Sequence, residues 1–211
     1  MSSPIELSTE DKIKQAAKEL FLKHGFVGTK TRDIALAAGI NLALLNYYFR
    51  SKEKLLHIII IETLSALFDT LEIIIKDPET SFRKKVELMV DAYLNTLESQ
   101  PEIPTFILNE VRRDPKILVE SLKIKHRLEG SSFVFQWFEF ANDNKIPPQY
   151  FIHILVNLMS LTAFPFVAKP MMSEIFTMQN EDFKIFIDQR RKWIPIWFDA
   201  IIQSFKHNYS E

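Results

Sequence analysis

Cysteine is absent from the 211 residues, which excludes disulfides, thiolate nucleophiles and cysteine metal ligands. The four glycines stand apart at 25, 28, 39 and 130, so neither a Gly-rich dinucleotide turn nor a phosphate loop can be built. No G-x-S-x-G elbow occurs, and the five histidines, at 24, 57, 126, 153 and 207, are scattered without a His-Glu-x-x-His pair. No metal, cofactor or enzymatic activity is therefore expected. The apolar runs at 57–61 and 73–75 are short, and none approaches the about 18 residues needed to cross a bilayer. The N-terminus carries no positive-then-apolar export signal. A soluble, cytoplasmic protein is expected.

Hydrophobic residues make up 47% of the chain, with eighteen phenylalanines, so a real core is affordable. The apolar positions recur mostly at three and four residues, which predicts an all-α chain of about nine or ten helices. The net charge of −1 conceals an asymmetry: residues 1–54 hold nine Lys/Arg against six Asp/Glu, leaving −4 on the remaining 157 residues. Only a docking surface has to be positive for a protein to bind nucleic acid.

The basic segment reads as three short helices. Ser8 with Asp11 offers an N-cap and an acidic variant of the capping box, Ile13, Ala16, Ala17, Leu20 and Phe21 form an apolar stripe, and Gly25 is placed to end the helix. Phe26 is expected to fold back onto this small core. Thr29 or Thr31 is the expected cap of the second helix, in which Ile34, Ala35 and Ala38 recur at helical spacing. Gly39 supplies the turn, and Asn41 caps a third helix anchored inward by Leu45 and Phe49.

Two short helices hinged at a glycine, set in basic flanks, form a helix-turn-helix pattern whose second helix can enter a major groove. Leu42, Ala43 and Asn46 are placed nearest the base edges. Asn46 suits a bidentate bond to adenine, and the two apolar residues suit thymine methyls. Lys30, Thr31, Tyr47, Tyr48 and Lys52 suit phosphate and sugar contacts, with Arg32 and Asn41 completing the DNA-binding set. Ser51 is placed to cap a fourth helix running to about Lys76, where Asp77-Pro78 closes it.

This segment resembles the TetR family of transcriptional regulators. The pattern runs through Gly25-Phe26, Thr29, Arg32-Asp-Ile-Ala35, Ala38-Gly-Ile-Asn41, Leu45, Tyr47-Tyr-Phe49 and Ser51-Lys-Glu-Lys-Leu55. Three positions depart from it: Asn46 stands where most members have tyrosine, Tyr48 where many have histidine, and Asn41 where serine or threonine is common. The resemblance implies a helix-turn-helix DNA-binding domain, 1–54, followed by a helical ligand-binding and dimerisation domain, 55–211. It implies a repressor that binds an inverted repeat of double-stranded DNA as a homodimer through its last two long helices and answers to a small effector. Paired heads also make geometric sense, since they span half-sites about 34 Å apart. A dimeric sensor or interaction protein of this fold, without sequence-specific repression, is the alternative.

Beyond Lys76, helices are expected over 82–98, 105–112 and, opening at Asp114-Pro115, as one long helix to about Asn142. Glu110, Arg112, Arg113 and Asp114 read as a solvated or salt-linked charge group. A further helix is expected from Gln149 to about Val167, disturbed by Pro165, with Lys169-Pro170 separating it from a short piece ending near Met178. Asn180 is placed to cap a last helix, 181–207, whose stripe is Phe183, Ile187, Ile194, Trp197, Phe198, Ile201 and Phe205, and Pro195 should bend it. Met89, Tyr93, Phe106, His126, Phe133, Trp137, His153, Asn157, Met159 and Phe164 are the candidate lining of an effector pocket. The aromatic content suits a hydrophobic, planar or acyl-bearing compound.

Overall fold

The computed structural model describes residues 7–113 and 115–209. Among these residues every regular element is helical, in the order α1 (Thr9–Gly28), α2 (Thr31–Ala37), α3 (Leu42–Phe49), α4 (Lys52–Lys76), α5 (Phe82–Ser99), α6 (Ile103–Arg113), α7 (Pro115–Ser121), α8 (Ile124–Leu128), α9 (Ser132–Asp143), a 3-10 turn (Pro148–Tyr150), α10 (Phe151–Phe176) and α11 (Asn180–Tyr209). Asp114 lies outside the described residues, as do the side chains of Glu110 and Arg113, and with them most of the expected charge group.

Two apolar cores form. Ile13, Ala16, Ala17 and Phe21 of α1, Ile34 and Ala35 of α2, Leu45 and Phe49 of α3, and Leu55 and Ile59 of α4 pack together as a head. Ile13, Ile34, Leu45 and Leu55 are fully buried, each contributing about 1.5–3 kcal/mol of transfer free energy. Ile60, Leu64, Leu67, Leu71 and Ile75 belong instead to the core of the body. The head's core thus reaches past residue 54, and α4 is shared by both units.

Local signals account for most of the head. Ser8 Oγ accepts from the Asp11 N–H at 3.1 Å and donates to the Asp11 carboxylate at 2.6 Å. At Gly25 the backbone turns to φ 68°, ψ 170°, a region open essentially only to glycine, and one further turn follows before Thr29. Neither threonine caps α2: Lys30 holds the N-cap position without a side-chain bond. The Thr29 hydroxyl lies instead within donating distance of the carbonyls of Leu20, at 3.1 Å, and Gly25, at 2.8 Å.

Three other expectations are corrected in the body. The helix expected over 115–142 is three helices, because Lys123 adopts a left-handed conformation at φ 51°, Gly130 does so at φ 66°, and Ser131 caps a new start by accepting from the Val134 N–H. The carbonyl of Leu122, left at the first break, accepts from Arg127 Nε at 2.9 Å. The proline break expected between residues 167 and 178 is absent, since α10 runs through both Pro165 and Pro170. Pro165 cannot donate to the Leu161 carbonyl, and the Arg190 guanidinium of α11 donates to that oxygen at 2.7 and 3.2 Å. Asn180 does not cap α11. Its Oδ1 accepts from Lys169, while Asp182 reaches back to accept from the Gln179 N–H at 2.9 Å. Within the expected apolar stripe Trp197 is 38% exposed and stacked beside Trp193.

The segment Pro148–Phe176 is long and apolar enough to cross a membrane by length and composition, with a mean hydropathy of 1.8 over its 18-residue window. This corrects the expectation from contiguous apolar runs, because Gln149, His153, Asn157, Ser160 and Thr162 interrupt the run without adding charge. One third of that window is buried in the body.

A buried lysine was not anticipated. Lys85 is fully enclosed, and its three ammonium donors reach Thr80 O, Ser132 Oγ and Gln136 Oε1 at 2.8–2.9 Å. Burial pushes its pKa below the ordinary lysine value, against the opposing charge of Asp77.

Candidate nucleic-acid interface and body cavities

The turn into α3 is closed by backbone bonds. Gly39, at φ 69°, donates to Leu36 O and Ile40 to Ala35 O, the paired pattern that ends a helix in a left-handed glycine. Asn41 Oδ1 then accepts from the Leu44 N–H at 2.8 Å and starts α3. Leu45 and Phe49 point into the head, at 0% and 3% exposure. That anchoring turns Ala43, Asn46 and Tyr47, spaced three and four apart, to solvent on one side of the helix. Tyr47 is 80% exposed and meets Tyr48 edge-on at 5.5 Å. Leu42 is half-buried at the start of the same helix.

The cations of the head divide into two groups. Lys30, Arg32 and Arg50 are exposed and make no ion pair among the described residues. Arg50 was not singled out in the sequence. It ends α3 at φ 60°, a conformation costly for a residue with a side chain and one that sequence does not announce. Lys14 is engaged internally with Glu10, Asp11 and Glu62, the last tying α1 to α4 at 2.9 Å. Lys52 is also engaged: its ammonium donates to Phe26 O at 2.7 Å and Thr29 O at 2.8 Å, and lies 4.2 Å from the centre of the Phe26 ring. Two of its three donors therefore hold the backbone after the Gly25 kink. Thr31 is half-buried in the first turn of α2.

The body contains a cavity of about 160 Å³ among α4, α5, α8, α9 and α10, bordered by Phe68, Leu71, Met89, Tyr93, Phe133 and Met159. A second, of about 390 Å³, lies between α6 and α10 and is bordered by Tyr93, Ile107, Met159 and Phe164. The expected pocket residues Met89, Tyr93, Phe133, Met159 and Phe164 are thus brought to two adjoining cavities. Burial pushes the Tyr93 phenol up to about 12. Phe106 lies elsewhere, against His57 in an open cleft of about 800 Å³ between head and body. Glu102 borders that cleft, and desolvation raises its carboxyl above the ordinary value.

The remaining candidates do not border these three cavities. Trp137 is fully buried and donates from Nε1 to Pro148 O at 3.2 Å. His126 is exposed beside Lys123 and Lys125. His153 is exposed against the Tyr150 ring, and Asn157, one turn on, is half-buried. Among the described residues no group of three or more His, Asp or Glu side chains is placed to hold a metal ion.

The family model for bacterial regulatory proteins of the tetR family matches residues 13–59, the segment from α1 to the head-facing end of α4. YttP of Bacillus subtilis, a probable HTH-type transcriptional regulator, is 26% identical over 198 residues, covering 90% of this chain and 94% of its own. NicS of Pseudomonas putida, an HTH-type transcriptional repressor, is 35% identical over 106 residues, 48% of each chain. Among solved structures, a TetR/AcrR-family regulator from Thermobifida fusca shares the fold with a TM-score of 0.58 at 16% identity, covering 88% of this chain and 96% of that one. A TetR variant from Acinetobacter baumannii, solved in complex with minocycline, gives 0.54 at 14% identity, covering 98% of this chain and 100% of that one. The matched residues lie on the helix-turn-helix: residues 13–59 form a TetR-family helix-turn-helix domain, in a chain that is similar over nine-tenths of its length to a probable HTH-type transcriptional regulator and whose helical body follows the fold of TetR-family structures.

Proposed function

We propose that the protein is a cytoplasmic, effector-responsive repressor that binds an inverted-repeat operator as a homodimer. The observation that carries this reading is the orientation of α3: Leu45 and Phe49 are anchored inward, so Ala43, Asn46 and Tyr47 are turned to solvent together, in a head that also exposes the cations Lys30, Arg32 and Arg50. The helix reads bases while the cations and tyrosines hold phosphates and set its register.

Dimerisation is assigned to α10 and α11. Phe164, Met171 and Ile175 on α10 and Ile185, Trp193 and Ile196 on α11 are each at least half exposed. A second copy covering this apolar surface accounts for the hydropathy of α10 without a membrane, and pairs the two heads for half-sites about 34 Å apart. Effector response is assigned to the body cavities. Phe68, Leu71, Glu72 and Ile75 of α4 line the smaller cavity, while Leu55 and Ile59 of the same helix sit in the head's core. A ligand that displaces this wall moves the head. To carry the dimer from 1:99 to 99:1 in favour of the DNA-free arrangement, it must prefer that arrangement by about 5.5 kcal/mol.

Selection of genomic fragments with the purified protein tests the reading. Recovery of one inverted repeat, bound with a steep salt dependence, is expected. Asn46→Ala should weaken that site by about 1–3 kcal/mol and relax the preference at one base position in each half. Weak, sequence-independent retention favours a dimeric sensor that does not repress, and unchanged preference at every position removes Asn46 from base reading.

A further inference from the structure

The two body cavities meet at the same two residues, Tyr93 of α5 and Met159 of α10. Met159 is unbranched and 48% exposed, a flexible side chain on the wall that the two compartments share, and together they make one slot. The walls are apolar apart from a few groups, and most of those are already engaged. The Arg127 guanidinium donates to Glu72 and Asp69, each at 2.7 Å, and to Leu122 O at 2.9 Å. Glu72 is further paired with Lys76. Thr162 donates within its own helix to Leu158 O or Met159 O. Ser160, on the outer compartment, is exposed.

Tyr93 differs from all of these. Its hydroxyl meets no hydrogen-bond partner among the described residues, although the ring is packed against the body core where both cavities begin. The raised pKa, about 12, keeps the phenol protonated at every physiological pH, so the slot offers a donor and no anion at that point. A charged ligand gains no free counter-charge here. It would have to break the Arg127–Glu72–Asp69 linkage or remain uncompensated in an apolar site, and both are costly.

We infer that the slot takes an uncharged, elongated, largely apolar molecule with a hydrogen-bond acceptor near its middle, a ketone, ester or ether oxygen, which accepts from the Tyr93 hydroxyl. The acceptor is central because Tyr93 stands where the compartments meet, with apolar wall on either side. This inference rests on the reading of the body as an effector domain and specifies the class of effector.

Calorimetric titration of the full-length protein with dipentyl ketone, undecanoate and undecylammonium, each below its aggregation concentration, tests it. The ketone should bind, and Tyr93→Phe should weaken it about five- to tenfold, the worth of one neutral hydrogen bond, with the melting temperature of the free protein unchanged. Both charged probes should bind at least about tenfold more weakly than the ketone, because neither finds a free counter-charge. Equal ketone affinity in wild type and Tyr93→Phe overturns the inference, as does a charged probe that binds more tightly or no binding by any probe. Operator release by a charged probe overturns this inference while the effector reading stands. Tyr93-dependent ketone binding that leaves operator affinity unchanged supports the slot's chemistry and overturns the effector reading instead.

Discussion

Lys30 and Lys52 carry the same charge within one small head but are placed for different tasks. Lys30 is exposed at the start of α2, whereas Lys52 spends two donors on the carbonyls of Phe26 and Thr29. Lys52→Met should therefore lower the stability of the head by about 1.5–3 kcal/mol, the range for hydrogen bonds to a charged group, and leave the salt dependence of operator binding nearly unchanged. Lys30→Ala should do the reverse, altering stability by under about 0.5 kcal/mol while reducing the slope of log affinity against log salt by about 0.9. Denaturant melts together with binding measured across a salt series check both. A Lys52 variant that loses as much slope as the Lys30 variant places its ammonium on a phosphate. Nothing near position 52 in the chain marks this difference, since the two carbonyls lie 26 and 23 residues upstream.

Among the elements, α10 shows how a local rule is overridden at long range. A proline inside a helix removes one bond and costs about 3 kcal/mol or more in isolation. In α10 the carbonyl that Pro165 leaves bare is taken up by Arg190, 29 residues beyond Leu161, and the same guanidinium lies over the Phe186 and Trp197 rings. Burial pushes the Arg190 pKa below its ordinary value, but the guanidinium remains the charged donor this carbonyl needs. Arg190→Met should cost about 1.5–3 kcal/mol in urea unfolding at fixed protein concentration. In a Pro165→Ala background, where residue 165 regains an N–H for Leu161, the same change should cost at least about 1 kcal/mol less. Strict additivity of the two substitutions would show that Arg190 stabilises α10 by some route other than the orphaned carbonyl.

At the scale of the whole molecule, α4 and the α10–α11 surface connect the cavity, the head and the partner subunit. Trp193 stacks on Trp197 with ring centres 6.5 Å apart on an exposed apolar surface. Trp193→Arg should shift the protein from dimer to monomer at micromolar concentration in analytical ultracentrifugation, without unfolding the body. Operator affinity should then fall by about a hundredfold or more, because the second head no longer binds at high effective concentration. A variant that remains dimeric with full affinity moves the interface off this face.

What the chain determined by itself is the set of features that depend on neighbours a few residues away. The caps at Ser8, Asn41 and Ser51, the glycine turn at 39 and the inward pair Leu45 and Phe49 were all legible, because hydrogen bonds and apolar spacing within one helical turn fix them. So was the TetR-like order of those signals. The Gly130-Ser131 break was also written in the chain, although helical periodicity on both sides concealed it. The unbroken α10, the enclosed ammonium of Lys85 and the meeting of two cavities at Tyr93 were decided only by tertiary structure. Each depends on groups distant in sequence that supply a missing donor, a set of acceptors or a wall, and a desolvated polar atom is satisfied by whatever the fold brings within about 3 Å, however far away along the chain.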